Sequence, residues 1–335
     1  METIQRPHHG NLIRWAKDRP EVLVISADLT SSCEADGFRD AYPERFFSMG
    51  MAEQNMMGFA AGLAREGFTP FVHTFAVFIC RRPFDQVAMS IAYPNLPVRL
   101  IGFLPGITTA GGVTHQAIDD IALMRLLPNL TVLECGDATD VESVLDVAQS
   151  VAGPVYVRML RGEVPRLFDP AEPIALGRAR VLSEGSDLAV LSSGICTEEA
   201  MRATQVLRER GFSIAHLHVS TLKPFADPRV IEAIDGARLG VVTMENHGIV
   251  GGLGSAVAEL MAEQGFGKRL IRIGLRDTYA HGASRQYLMR EYDLDAMALV
   301  RAVETLSGER LGLSEAALAE VRLETMRPLE KTEDL

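Results

Sequence analysis

Glu53 stands three residues after Gly50 in SMGMAEQNMMGFAAGLA (48–64), where a strand end gives way to a helix made mostly of Met, Phe, Ala, Gly and Leu. Such a helix is expected to bury most of its faces, which puts a carboxyl at a buried helix head. Burial and a helix N-terminus act on a carboxyl in opposite directions. A carboxyl set between them is a proton partner for a weakly basic nitrogen, although first-turn Glu is also common simply as a complement to the helix dipole. In HTFAVFICRRPFDQV (73–87), Phe75 and Phe78, with Arg81, offer surfaces that can stack a flat ring, or they are ordinary core. His115 follows Gly-Val-Thr on a strand-to-helix loop, where α/β folds place ligand residues; the alternative is a cap on the helix start. In GPVYVRMLRG (153–162), Arg158 and Arg161 each present a fork suited to phosphate, sulfonate or carboxylate, with a structural salt bridge as the alternative.

These residues need elements to position them. Near-continuous apolar runs at 21–26, 98–102, 131–134, 155–159, 187–192, 214–219, 240–244 and 270–274 read as strands buried on both faces of parallel sheets. Helical patterns lie between them at 51–66, 138–150, 196–210 and 252–265. The alternation predicts an α/β protein with two open, mostly parallel sheets. The segment 163–186, rich in Pro and Gly, reads as an interdomain linker. The expected division is one domain over 1–162, a second over 187–310, and a helix with a charged tail over 311–335.

The 335 residues suit about two domains of ~150 residues each. With 33 basic and 44 acidic side chains the net charge is −11, which disfavours nucleic acid and anionic membrane as partners. Four cysteines, Cys33, Cys80, Cys135 and Cys196, are far apart and form no metal-ligand or disulfide spacing. The N-terminus has no apolar signal region, and no apolar run reaches ~18 residues. The expectation is a cytoplasmic protein.

The segment around Glu53 resembles the pyrimidine-binding domain of the transketolase family of thiamine diphosphate enzymes. Its Gly-hydrophobic-Ala-Glu-Gln turn precedes a helix rich in small residues, and segments 42–56, 73–87 and 112–132 follow in the family's order. TLKPFAD (221–227) and TMENHGIVGGLGSAVAEL (243–260) resemble the family's C-terminal domain. The resemblance implies a two-carbon ketol transfer in carbohydrate metabolism. Glu53 would hydrogen-bond N1′ of the aminopyrimidine, favouring the tautomer that takes the thiazolium proton. It also implies that Phe75, Phe78 and Arg81 pack the pyrimidine, Arg81 standing where the family often has Tyr. Asp28 would lie by the thiazolium and His115 near the substrate carbonyl, and Ser32 and Arg161 would bind the substrate's anion.

Departures from the family refine these expectations. The loop GFLPGITTAGGVTH (102–115) lacks the acidic pair and the earlier His that read sugar hydroxyls. A polyhydroxylated chain would lose partners there, so substrates other than the usual pentose phosphates are expected. No Gly-Asp-Gly occurs, CGDATD (135–140) being the nearest match, so no metal site is expected in this chain. The diphosphate and Mg²⁺ are expected on an N-terminal partner subunit, in an α₂β₂ assembly. The GGLGS cluster (251–255) after Glu245, Asn246 and His247 does not fit a dinucleotide loop, and no catalysis is assigned to it, to His247 or to His281. Alternatives are the beta subunit of a 2-oxo acid dehydrogenase, a deoxyxylulose phosphate synthase-like acyloin former, and a non-catalytic regulatory paralogue.

Overall fold

The computed structural model describes residues 2–326. Its larger sheet runs, edge to edge, Phe46–Ser48, Val22–Ser26, Thr69–Phe75, Arg99–Phe103, Val155–Met159, Thr131–Glu134 and Thr221–Lys223. The first six strands are parallel and the last is antiparallel. Four consecutive strands of this sheet, from Val22–Ser26 to Val155–Met159, are buried along their whole length, as apolar runs between helical layers should be. The chain leaves Val22–Ser26 for Phe46–Ser48 on one side and returns to Thr69–Phe75 on the other. This reversal of strand order opens a crevice at the carboxyl ends, the usual ligand position in an open α/β sheet.

The smaller sheet runs Leu270–Leu275, Gly240–Gly248, Leu188–Ser192, Ile214–His218 and Arg180–Ser183, parallel except for the last. Its strand Gly240–Gly248 is four residues longer than its apolar run because Glu245, Asn246 and His247 are buried too.

Some elements differ from the sequence expectation. Thr69–Phe75 is a buried central strand that was not anticipated, because Pro70 and His73 interrupt its apolar run. Pro70 is tolerated near the strand start, where Thr69 N–H bonds Glu21 O at 2.8 Å. The segment 163–186 is not bare linker: Glu163–Pro165 pairs with Thr3–Gln5, and Arg180–Ser183 edges the smaller sheet. TLKPFAD contributes its strand Thr221–Lys223 to the larger sheet, which docks the two halves. The helix Glu53–Arg65 buries one face, through Glu53, Met56, Met57, Ala60, Ala61 and Ala64, and leaves Gln54, Asn55, Gly58 and Gly62 exposed. Small and polar residues recurring at helical spacing account for that open stripe. In the C-terminal segment the described helix is only Glu315–Ala319, and residues 327–335 lie outside the described residues.

Candidate active site

Gly50, at φ +69°, turns the chain between Phe46–Ser48 and the helix, so Glu53 becomes the first residue of Glu53–Arg65. Its side chain is 4% exposed. A carboxylate in the first turn lies at the positive end of the helix. Its salt-bridge partner is Arg82, whose Nη1 lies 2.6 Å from Glu53 Oε1 and whose guanidinium sits 3.9 Å from the centre of the Phe78 ring. Phe78 and Arg82 are four residues apart around the end of the helix Ala76–Arg81, hence on one face.

Phe75 ends its strand and Phe78 opens the next turn. Their rings stack with centroids 5.8 Å apart, and His115 meets both edge-on, at 6.2 and 5.4 Å. Arg81 does not join the stack. It pairs with Asp119 at 2.9 Å and donates to Gln116 O at 3.3 Å, so it anchors the far end of the His115 loop. In this structure the Phe78 ring is covered not by Arg81 but by its neighbour, Arg82. Arg81 and Arg82 stand three and four residues after Phe78, so helical spacing admits either and only the structure decides between them.

His115 ends a short 3₁₀ turn, Val113–His115, with Nδ1 2.9 Å from Thr114 Oγ1. The second half of the chain fixes this loop. Asn246 Oδ1 accepts from Ile107 N–H and its Nδ2 donates to Pro105 O, both at 3.0 Å. A Cβ on Gly106 would fall 2.2 Å from Asn246 Oδ1, so the approach requires glycine. Gln116 Nε2 donates to His281 O at 3.2 Å. Asn246 and His281 are thus props of the loop, a role invisible until the two halves dock.

Two residues past Met159, Arg161 donates to Ser32 O at 2.5 Å and lies 5.9 Å from the Phe75 ring centre. With Thr108, Thr109 and Gly162 it lines a cavity of about 400 Å³, to which Glu198 and Arg285 of the second half also contribute. Asp28 is exposed just beyond Val22–Ser26, at φ +61°. It shares the carboxyl end of the sheet with the other candidates but makes no side-chain hydrogen bond to any of them.

Arg158, the competing anion ligand, is excluded from this role by complete burial. It bonds Asp120 at 2.8 Å, Ala117 O at 3.2 Å, Asn246 O at 3.0 Å and Glu134, while Tyr156 donates to Asp120 at 2.5 Å. Burial works against its charge, and Asp120 and Glu134 outweigh burial, holding its pKa above the ordinary arginine value. Glu245 caps Leu253–Glu263 by accepting from Leu253 N–H at 2.6 Å and Gly254 N–H at 2.8 Å, and burial raises its pKa to about 7. A Cβ on Gly252 would fall 2.0 Å from Glu245 Oε2, so GGLGS serves this cap. His247 is buried, with its pKa lowered by that burial, and sits 3.9 Å from Asp120. Among the described residues no group of three His, Cys, Asp or Glu is placed to hold a metal, and no helix is long and apolar enough to cross a membrane.

The fold is thus that of an α/β protein, with a buried carboxyl, two stacked aromatic rings and a histidine at the carboxyl end of its larger sheet. Residues 9–166 match the transketolase pyrimidine-binding domain and residues 177–299 the transketolase C-terminal domain, so the chain belongs to the transketolase family, which depends on thiamine diphosphate. A transketolase C-terminal section from Methanocaldococcus jannaschii is 36% identical over 303 residues, covering 90% of this chain and 95% of that one. A 6-deoxy-6-sulfo-D-fructose transketolase subunit, SqwH, from Clostridium sp. (strain MSTE9) is 36% identical over 299 residues, covering 88% and 92%. A solved split-gene transketolase, an inactive beta4 tetramer, superposes with a TM-score of 0.81 at 37% identity, covering 91% of this chain and 98% of that one. The chain also spans 44% of a 1-deoxy-D-xylulose-5-phosphate synthase from Carboxydothermus hydrogenoformans, at 34% identity over 279 residues, which covers 83% of this chain.

Proposed function

We propose that this chain is the C-terminal subunit of a two-chain, thiamine diphosphate-dependent transketolase that moves a two-carbon ketol unit from an anionic ketose to an aldehyde. The observation that carries the reading is Glu53: a carboxylate buried at a helix head and joined through Arg82 to Phe78, which stacks on Phe75 and meets the edge of His115. Those residues fit an aminopyrimidine, which has two apolar faces and a basic ring nitrogen. When bound, the cofactor supplies a nucleophilic carbon and a ring that accepts the electron pair of the cleaved carbon–carbon bond. Glu53 would hold a proton at N1′, Phe75 and Phe78 would pack the ring, and Asp28 would stand by the thiazolium. His115 would hold or move a proton at the substrate's carbonyl oxygen. Arg161 and Ser32 would bind the substrate's anionic end; the Clostridium relative is named for a sulfonated ketose, and a guanidinium fork suits sulfonate as well as phosphate.

The diphosphate and Mg²⁺ would be held by an N-terminal subunit, because this sequence has no Gly-Asp-Gly, and the two chains would assemble as α₂β₂. The split-gene relative supports a two-chain arrangement. Mixing the chain with that subunit, thiamine diphosphate and Mg²⁺ is expected to give ketol transfer from a phosphorylated or sulfonated ketose. Transfer by this chain alone would overturn the proposal. A second reading, acyloin formation like that of the synthase relative, is favoured by the absence of acidic side chains from loop 102–115. Carbon dioxide release from a 2-oxo acid would select it.

A further inference from the structure

Glu53 already has a counter-ion in the free chain, Arg82. Arg82 touches the same carboxylate oxygen region and the same aromatic ring that a bound pyrimidine would need: Nη1 is 2.6 Å from Glu53 Oε1, and the guanidinium lies 3.9 Å from the Phe78 ring centre. The two partners differ sharply in exposure. Glu53 is 4% exposed, whereas the Arg82 side chain is 46% exposed. A half-exposed guanidinium returns to water at little cost, while a buried carboxylate that loses its partner must find another. Among the described residues no other hydrogen bond or ion pair holds the Arg82 side chain, and its backbone carbonyl accepts from Gln54 at 3.2 Å. Arg81 shows the contrast one residue away, where two contacts, to Asp119 and to Gln116 O, hold the guanidinium in place.

Resting on the reading of Glu53 as the pyrimidine's partner, we propose that Arg82 is an exchangeable counter-ion. It neutralises Glu53 and covers Phe78 in the free chain, and it yields both to the aminopyrimidine. A neutral, flat heterocycle with a ring nitrogen replaces a planar cation on the same two contacts. The chain thereby keeps a buried acid satisfied before assembly, and the energy of that pair is subtracted from cofactor affinity. Arg82 is a positioning residue in this account, acting through Glu53.

The test is the dissociation constant of thiamine diphosphate for the reconstituted two-chain protein, read by calorimetry. Arg82→Ala is expected to bind the cofactor about two- to fivefold tighter than wild type, the upper range of a partly exposed ion pair. Arg82→Lys, which keeps the charge but loses the planar stack, is expected to fall between them. Unchanged or weaker binding by Arg82→Ala, with wild type binding normally, would overturn the exchange and leave the reading of Glu53 intact. No cofactor binding by wild type would overturn both. Should Arg82→Ala fail to assemble, melting of the full-length free chain decides: the substitution is expected to lower Tm by about 2–4 °C in the wild-type background and to have no effect in Glu53→Gln. Equal shifts in the two backgrounds would refute the pairing.

Discussion

Two acid–arginine pairs in this molecule are chemically alike and built for opposite ends. Arg158, Asp120 and Glu134 are all at most 1% exposed, and the guanidinium also meets Ala117 O and Asn246 O, one from each half of the chain. The Arg82–Glu53 pair has one buried partner and one half in water, over an aromatic ring. The closed network has no room for a ligand and ties the two sheets together. The open pair leaves one carboxylate within reach of solvent through its partner. The difference teaches that burial of the acid alone does not separate a closed structural pair from one that can open; the exposure of its partner does.

Breaking each side of this comparison separates the two roles. Glu53→Gln in the assembled protein should lower the ketol-transfer rate by about 10²–10⁴, the scale of a lost proton-transfer group, with little change in the urea midpoint. Arg158→Met should do the reverse. It leaves Asp120 and Glu134 buried without a counter-charge, at a cost of about 3–5 kcal/mol in urea unfolding.

A smaller effect comes from a buried pair with no acid in it. His8 Nε2 and His73 Nε2 are 3.0 Å apart, and His73 Nδ1 lies 3.1 Å from Phe71 O. With Nδ1–H donating to that carbonyl, His73 Nε2 accepts from His8, and the pair is neutral. Burial lowers the His73 pKa to about 4, below the ordinary 6.5 of the unfolded chain. Its contribution to stability is therefore present above pH 6.5 and lost as pH falls toward 4. The slope is about 1.4 kcal/mol per pH unit for one proton. Urea titrations at pH 7, 6 and 5 should show a shallower acid loss in His73→Gln than in wild type.

The smallest effect belongs to Arg81→Gln. Its pair with Asp119 is partly exposed, so the loss in stability should stay within about 1 kcal/mol by urea unfolding. Thiamine diphosphate affinity should not rise as it does in Arg82→Ala, which sharpens the contrast between neighbouring arginines.

Much of this architecture was legible beforehand. Eight apolar runs marked strands because a parallel sheet covered on both faces needs side chains that are apolar at every position, and all but Leu270–Leu275, half-buried at the edge of its sheet, are buried along the run. Thr69–Phe75 escaped that logic: Pro70 and His73 break the pattern, and the sheet tolerates both because one sits at the strand start and the other finds His8. The short edge strands Thr3–Gln5, Arg180–Ser183 and Thr221–Lys223 carry too few residues for periodicity to show. Glu53, Phe75, Phe78 and His115 stood out by type and position but took their expected roles from the family resemblance, and the structure places all four at the carboxyl end of the larger sheet. The salt bridge of Arg158 was one of the two readings its type allowed, whereas the part of Asn246 was not legible, since an amide reads as solvated until the topology brings loop 104–116 around it. Arg82 was passed over for Arg81 because register along the chain does not say which of two adjacent arginines faces a ring.

The central claim is that Glu53 controls a proton on the pyrimidine, and the exchange of the thiazolium C2 proton of thiamine diphosphate reads it without any sugar present. Followed by proton NMR in deuterium oxide on the assembled two-chain protein, exchange should be fast in wild type and fall by about a hundredfold or more in Glu53→Gln. Equal exchange in the two proteins, with cofactor shown to be bound, would contradict the account.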